Sequence, residues 1–191
     1  RPIMVAFIAE NIAAMQAGEP LPHFYTAGTS SAFFGFTGCG ISIGCIIACM
    51  MSKNKRYKQI GRVSLFPALF GINEPILFGA PIILNPIMFI PHVFGGAIIG
   101  TFPMFLMHWG LLNKPIFDPP YVGIFLEGFL TNGDWRTIIV CAIQLIASVA
   151  IYWPFFKIME RNDEIEAMEK AQKAVFTQEE AKLLEDLDLD F

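Results

Sequence analysis

From Val63 to Ile90 the chain reads VSLFPALFGINEPILFGAPIILNPIMFI. The stretch is almost wholly apolar, yet Pro67, Pro75, Gly79, Pro81 and Pro86 interrupt it at short intervals. An interior proline removes one helical hydrogen bond and clashes with the preceding turn, so no straight spanning helix is predicted. The pattern predicts two short half-helices, Val63 to Ile72 and Ile76 to Leu84, around Asn73-Glu74-Pro75, as a re-entrant hairpin. A backbone broken at membrane depth persists only where protein or a water-lined cavity satisfies its freed groups.

The surrounding composition agrees with a membrane. Of 191 residues, 54% are hydrophobic and 16% charged, and the mean hydropathy is +0.53. A soluble domain carries about 25% charged residues. The net charge of −4 is unevenly placed. Residues 157–191 hold five basic and eleven acidic residues, whereas residues 1–156 hold eight and six. Between Val63 and Asn113 the only charged side chain is Glu74. The expected organisation is therefore a membrane body, residues 1–156, and a cytoplasmic charged helix with an acidic tail, residues 157–191. The four cysteines form no CxxC pair, which excludes a zinc ribbon or disulfide scaffold. No metal or cofactor is expected, and nothing resembles a nucleic-acid surface.

Other segments predict the topology. Pro2 to Ala17 is a short apolar helix, and Gly18-Glu19-Pro20-Leu21-Pro22-His23 a loop. Phe33 to Met51 is nineteen residues without charge, long enough to cross. Ser52 to Arg62 carries five basic residues and no acid, which places it as a cytoplasmic loop. Pro86 to Leu112 is the next expected span, Asn113 to Asp134 a polar, turn-rich connection, and Trp135 to Trp153 the last span, its indoles about 27 Å apart. Glu160 to Lys173 reads as a solvated helix and Leu183 to Phe191 as an acidic tail. The expected fold class is an all-α, multi-spanning membrane bundle, with its C-terminus in the cytoplasm. The chain starts at Arg1 inside an apolar pattern and reads as the C-terminal part of a longer protein.

Glu74 is the main chemical candidate. An acid at membrane depth costs about 2.5–3.5 kcal/mol on insertion scales. Facing a cavity, it could accept bonds from sugar hydroxyls, or take a proton from a hydroxyl attacking a phosphoryl group. A structural carboxylate capping a half-helix is the competing interpretation. Asn73 and Asn85 either satisfy backbone freed by the prolines or donate to substrate. His23, His92 and His108 are weaker candidates, as are sugar-stacking roles for Phe24, Tyr25, Phe33, Phe34, Phe36 and Trp109. The absence of a Walker A sequence argues against ATP-driven transport.

The run from Gly71 to Ile87, with Asn73-Glu74-Pro75 and Asn85-Pro86, resembles the signature of the lactose/cellobiose/diacetylchitobiose family of enzyme IIC permeases. These belong to the bacterial phosphoenolpyruvate-dependent sugar phosphotransferase system. The Gly18–His23 loop and the Tyr152–Lys157 ending with its acidic tail fit the same family. The resemblance implies binding of a β-linked disaccharide, its translocation through the bacterial cell membrane, and phosphorylation at the 6-hydroxyl by a phosphocysteine on a cytoplasmic IIB protein, with IIA upstream. It implies a homodimer formed through an N-terminal half. Glu74 matches the motif glutamate that lies against bound sugar, giving it the catalytic and binding roles. Asn73 and Asn85 match neighbouring motif positions, and His23 shares the loop pattern. The alternative is an ion- or proton-coupled secondary sugar transporter with Glu74 as the proton carrier.

Overall fold

Glycines end two of the helices, at Gly18 and Gly133, while Pro67, Pro103 and Pro154 lie inside helices. The computed structural model describes residues 1–35, 37–80, 82–83 and 85–188, with side chains to residue 177. The expectations resting on Phe36, Pro81, Leu84 and residues 189–191 lie outside the described residues. What is described forms helices and no β-strand. The chain divides into two units, residues 1–156 and 157–191, and each is taken by itself.

In the first unit α1 (Pro2–Ala17) ends at Gly18, whose φ of 73° supplies the left-handed cap that glycine adopts without strain. The short α2 (Ala27–Thr29) continues as a π-helical turn (Ser30–Phe34). α3 (Ile43–Met51) packs against α4 (Lys55–Ala68). α5 is Glu74–Gly79 and α6 is Pro86–Ile90. A second π-helical turn (Pro91–Gly95) joins α6 to α7 (Gly96–His108), and α8 is Ile124–Asn132. The last helix, α9, runs Arg136–Asp188. Two helical stretches have the length and composition to cross a bilayer, Pro86–His108 and Arg136–Thr177.

Four expectations change. Phe33 to Met51 is not one span, because the helix is interrupted between Gly35 and Ser42. Gly38 and Gly40 take φ of 83° and 75°, and Ile41 takes 50°. The basic stretch is largely helical: after Ser52-Lys53-Asn54 the chain enters α4, with the Asn54 side chain accepting from Arg56 N at 2.9 Å. The second break precedes Glu74 instead of centring on it, since Pro75 lies in the first turn of α5, where its missing N–H costs nothing. Finally, α9 continues beyond Phe156 into the charged segment, with no separate helix beginning at Glu160.

The interrupted Gly35–Ser42 backbone is served by α9. Gln144 Nε2 donates to Phe33 O at 3.2 Å and to Ile99 O at 2.9 Å. Ser148 Oγ donates to Ile41 O at 2.6 Å and accepts from Gly44 N at 3.0 Å. Tyr152 Oη donates to Gly40 O at 2.8 Å. Residues spaced by four share one helical face, so a single polar stripe on an apolar helix supplies all three groups. Near the other end, buried Asn11 on α1 donates to His23 O and Pro115 O and accepts from His23 N. In the second unit, Lys170 bonds Glu166 at 2.6 Å and holds its carboxyl below the usual range.

At about 0.6 kcal/mol per bond, the average in membranes, Tyr152→Phe is expected to lower stability by about 0.6 kcal/mol through Gly40 O and Ser148→Ala, which loses two bonds, by about 1.2 kcal/mol. Gly38→Val is expected to be far worse, because a Cβ there would lie 2.2 Å from Asn73 Cγ at a φ of 83°. Thermal unfolding of the full-length protein in detergent ranks the three, and a Gly38→Val protein as stable as wild type would refute the close approach.

Candidate functional site

Two backbone breaks meet at one side chain. Asn73 closes the irregular stretch after α4, where Gly71 has a φ of 79°. Its Nδ2 donates to Cys39 O at 2.8 Å and to Ser42 Oγ at 3.1 Å, within the Gly35–Ser42 break. The side chain is buried. One of its two bonds satisfies a carbonyl released by the broken helix, and both pin the start of α5 to the first break. The next residue, Glu74, opens α5, with an exposed side chain.

These residues line a cavity of about 490 Å³. Ser30, Ser31 and Phe34 contribute from the π-helical turn, Gly38 and Cys39 from the first break, and Asn73 with Glu74 from the second. Arg1 and Tyr121 complete the polar and aromatic wall. The cavity thus offers a carboxylate, hydroxyls, a guanidinium and aromatic edges, a set suited to a polyhydroxylated ligand, which a pocket orients with a few placed polar groups.

The structure separates the candidates. Asn73 and Glu74 lie together on the cavity wall. Asn85 does not line it; its Oδ1 accepts from Ile87 N at 2.9 Å as the N-cap of α6. His23 also lies outside the lining. Its Nε2 is 2.5 Å from Glu10 Oε2, and its ring stacks on Phe7 at 4.1 Å. His92 Nδ1 is 3.2 Å from Tyr152 Oη, and His108 packs against Phe24. Of the aromatic candidates, Phe34 lines the cavity, Phe33 is in the core, and Phe24 lies beneath Lys114 Nζ at 4.2 Å.

Tyr121 was not foreseen. It lies in the connection that the sequence shows only as turn-rich. That connection doubles back on α8, with Ile116 N and Phe117 N both donating to Thr131 O. A Cβ on Gly71 would sit 3.0 Å from the Tyr121 ring, so the absent side chain at Gly71 is the sequence-level trace of this contact.

The family Phosphotransferase system, EIIC matches residues 1–96, which include both breaks and Glu74. The permease IIC component YwbA of Bacillus subtilis (strain 168) is 33% identical over 180 residues, covering 91% of this chain and 40% of that protein. The PTS system lactose-specific EIICB component of Staphylococcus aureus is 36% identical over 165 residues, covering 83% of this chain and 28% of that protein. Among solved structures, the transporter ChbC, the IIC component from the N,N'-diacetylchitobiose-specific phosphotransferase system, matches with a TM-score of 0.80 at 27% identity. The match covers 87% of this chain and 40% of that one. The chain spans two fifths or less of the length of these relatives. By its family match, its relatives and its fold, the chain belongs to the phosphotransferase system EIIC family.

Proposed function

We propose that the full-length protein is the membrane permease of a sugar phosphotransferase system, taking up a β-linked disaccharide of the cellobiose, diacetylchitobiose or lactose type. The observation that carries this reading is Glu74, placed at a helix break on the wall of a cavity of mixed polar and apolar lining. The relatives' names, one lactose-specific and one chitobiose-specific, support the substrate class.

In the proposed mechanism the Glu74 carboxylate accepts hydrogen bonds from sugar hydroxyls while Asn73 holds the wall. When the 6-hydroxyl attacks the phosphoryl group of a IIB phosphocysteine, a P–O bond forms and the P–S bond breaks. The hydroxyl proton passes to Glu74 as general base, and the thiolate leaves on IIB. Phe34 and Tyr121 provide apolar contact for the sugar rings. Asn85 and His23 take no direct sugar contact in this proposal, because neither lines the cavity. In the same proposal the re-entrant hairpin has its arms at Val63 to Ile72 and Ile76 to Leu84, the first holding the end of α4 and the second most of α5. Residues 1–156 belong to the multi-pass transport domain in the bacterial plasma membrane and residues 157–191 lie in the cytoplasm. The full-length chain works as a homodimer, supplied with phosphate through IIA and IIB.

In the complete protein Glu74→Gln is expected to lower sugar phosphate formation by about 100-fold or more while insertion is unchanged. Radiolabelled disaccharide uptake into vesicles, with phosphorylated IIB inside, measures this. Wild-type uptake by the variant refutes the assignment of Glu74. Uptake that collapses with an uncoupler and yields free sugar favours an ion-coupled transporter instead.

A further inference from the structure

Glu127 is not among the residues that line the cavity and takes no part in the chemistry above. It sits on α8, in the connection between the two spanning helices, and is only 1% exposed. Its Oε1 is enclosed and has no hydrogen-bond partner among the described residues. A second carboxyl, Asp118, stands near enough to repel a charge on it, and Asp118 Oδ1 is likewise enclosed and without a partner. The cation beside the pair is Arg1, 3.5 Å from Asp118 Oδ2. It can neutralise one carboxylate, not two.

Among the described residues, the cations on the segments packed on α8 are bonded elsewhere: Lys114 Nζ donates to Leu21 O and Arg136 Nη1 to Leu111 O at 3.0 Å. Residues 26–34, which form α2 and the π-helical turn, contain no titratable group. From α9, Thr137 and the thiol of Cys141 approach Gly128. A buried carboxylate without a bond is unfavourable by several kcal/mol, and of two close carboxyls one keeps its proton.

We propose that Glu127 is a proton-binding site, with Asp118 as its charged neighbour, and that its ionisation weakens ligand binding in the adjacent cavity. The path is short. Glu127 O accepts from Thr131 Oγ1 at 2.8 Å, Thr131 O holds the Ile116–Phe117 backbone, and that strand of chain carries Tyr121 to the cavity. On its other side α8 packs against the turn that supplies Ser30, Ser31 and Phe34. Burial first, and Asp118 second, push the Glu127 carboxyl up to about 7.

The sign follows from a native value above the ordinary one. Glu127 is neutral in the folded protein below neutrality and ionises as pH rises through about 7. Infrared difference spectra of the full-length protein in vesicles are expected to show a protonated carboxyl band that titrates near neutrality and is lost in Glu127→Gln. In Asp118→Asn the midpoint is expected to fall, because one repulsion is gone while burial remains. A band unchanged by Glu127→Gln overturns the proton site, and so does an unmoved midpoint in Asp118→Asn.

The coupling rests on the sugar-binding reading above and has its own readout. Cellobiose, diacetylchitobiose and lactose are titrated from about pH 6 to about pH 8. The affinity of the one that binds is expected to fall about fivefold over this range, the part reached by about pH 8 of the tenfold limit that a one-unit upward shift of this carboxyl on binding sets. Glu127→Gln is expected to keep the low-pH affinity throughout. The same decline in Glu127→Gln, or no decline in wild type, overturns the coupling. Failure of all three sugars at every pH counts against the substrate class, and the infrared titration still decides the proton site.

Discussion

The amide of Asn73 joins two interruptions of the backbone, and the cavity exists because of that junction. A broken helix in an apolar surrounding leaves carbonyls and N–H groups that water cannot reach, each costly unless paired. The Gly35–Ser42 break has partners on both sides. Asn73 takes Cys39 O and Ser42 Oγ, while Ser148 and Tyr152 on α9 take Ile41 O and Gly40 O. With these carbonyls bonded, the break holds a positive φ at Ile41, an unusual conformation for a β-branched residue. What remains between the breaks is space lined by polar atoms.

The small residues are the counterpart of these bonds. Gly38 lies where a side chain would meet Asn73, Gly40 where one would meet the His92 ring, and Gly44 where one would meet Ser148. Close backbone approach and interhelical hydrogen bonding are the means by which helices associate in lipid, where hydrophobic burial gives little. The glycines and the Gln144–Ser148–Tyr152 stripe therefore form one device on two elements. The two are complementary, which accounts for three inward-facing polar side chains on an apolar helix long enough to cross a bilayer.

Much of the membrane character was legible from composition and proline spacing, because transfer of apolar surface and loss of helical bonds are local properties. The helical stretch from Pro86, long enough to cross a bilayer, the end of α1 at Ala17 and the location of Glu74 beside a break all follow from that. The interruption of Phe33–Met51 did not follow. Glycine in a membrane helix serves close packing as readily as it serves a break, and only partners distant in sequence, Asn73 and Ser148, select the break here. Asn73 and Asn85 look alike as amides before prolines, yet one joins two elements and the other caps its own helix.

By itself the sequence determined that the chain is helical, apolar, interrupted near Asn73-Glu74-Pro75, and marked by one acid in a long uncharged stretch. The tertiary structure alone decided which residues surround that acid. Tyr121, Arg1 and Ser30 reach the cavity from parts of the chain far from Glu74, and Glu127 is enclosed, with a part-buried Asp118 near it, where a connection that shows only turns doubles back. Periodicity and breakers report what a segment does with its own backbone. Which remote side chain completes a cavity depends on how satisfied hydrogen bonds and close glycine contacts bring segments together, and that information is not local.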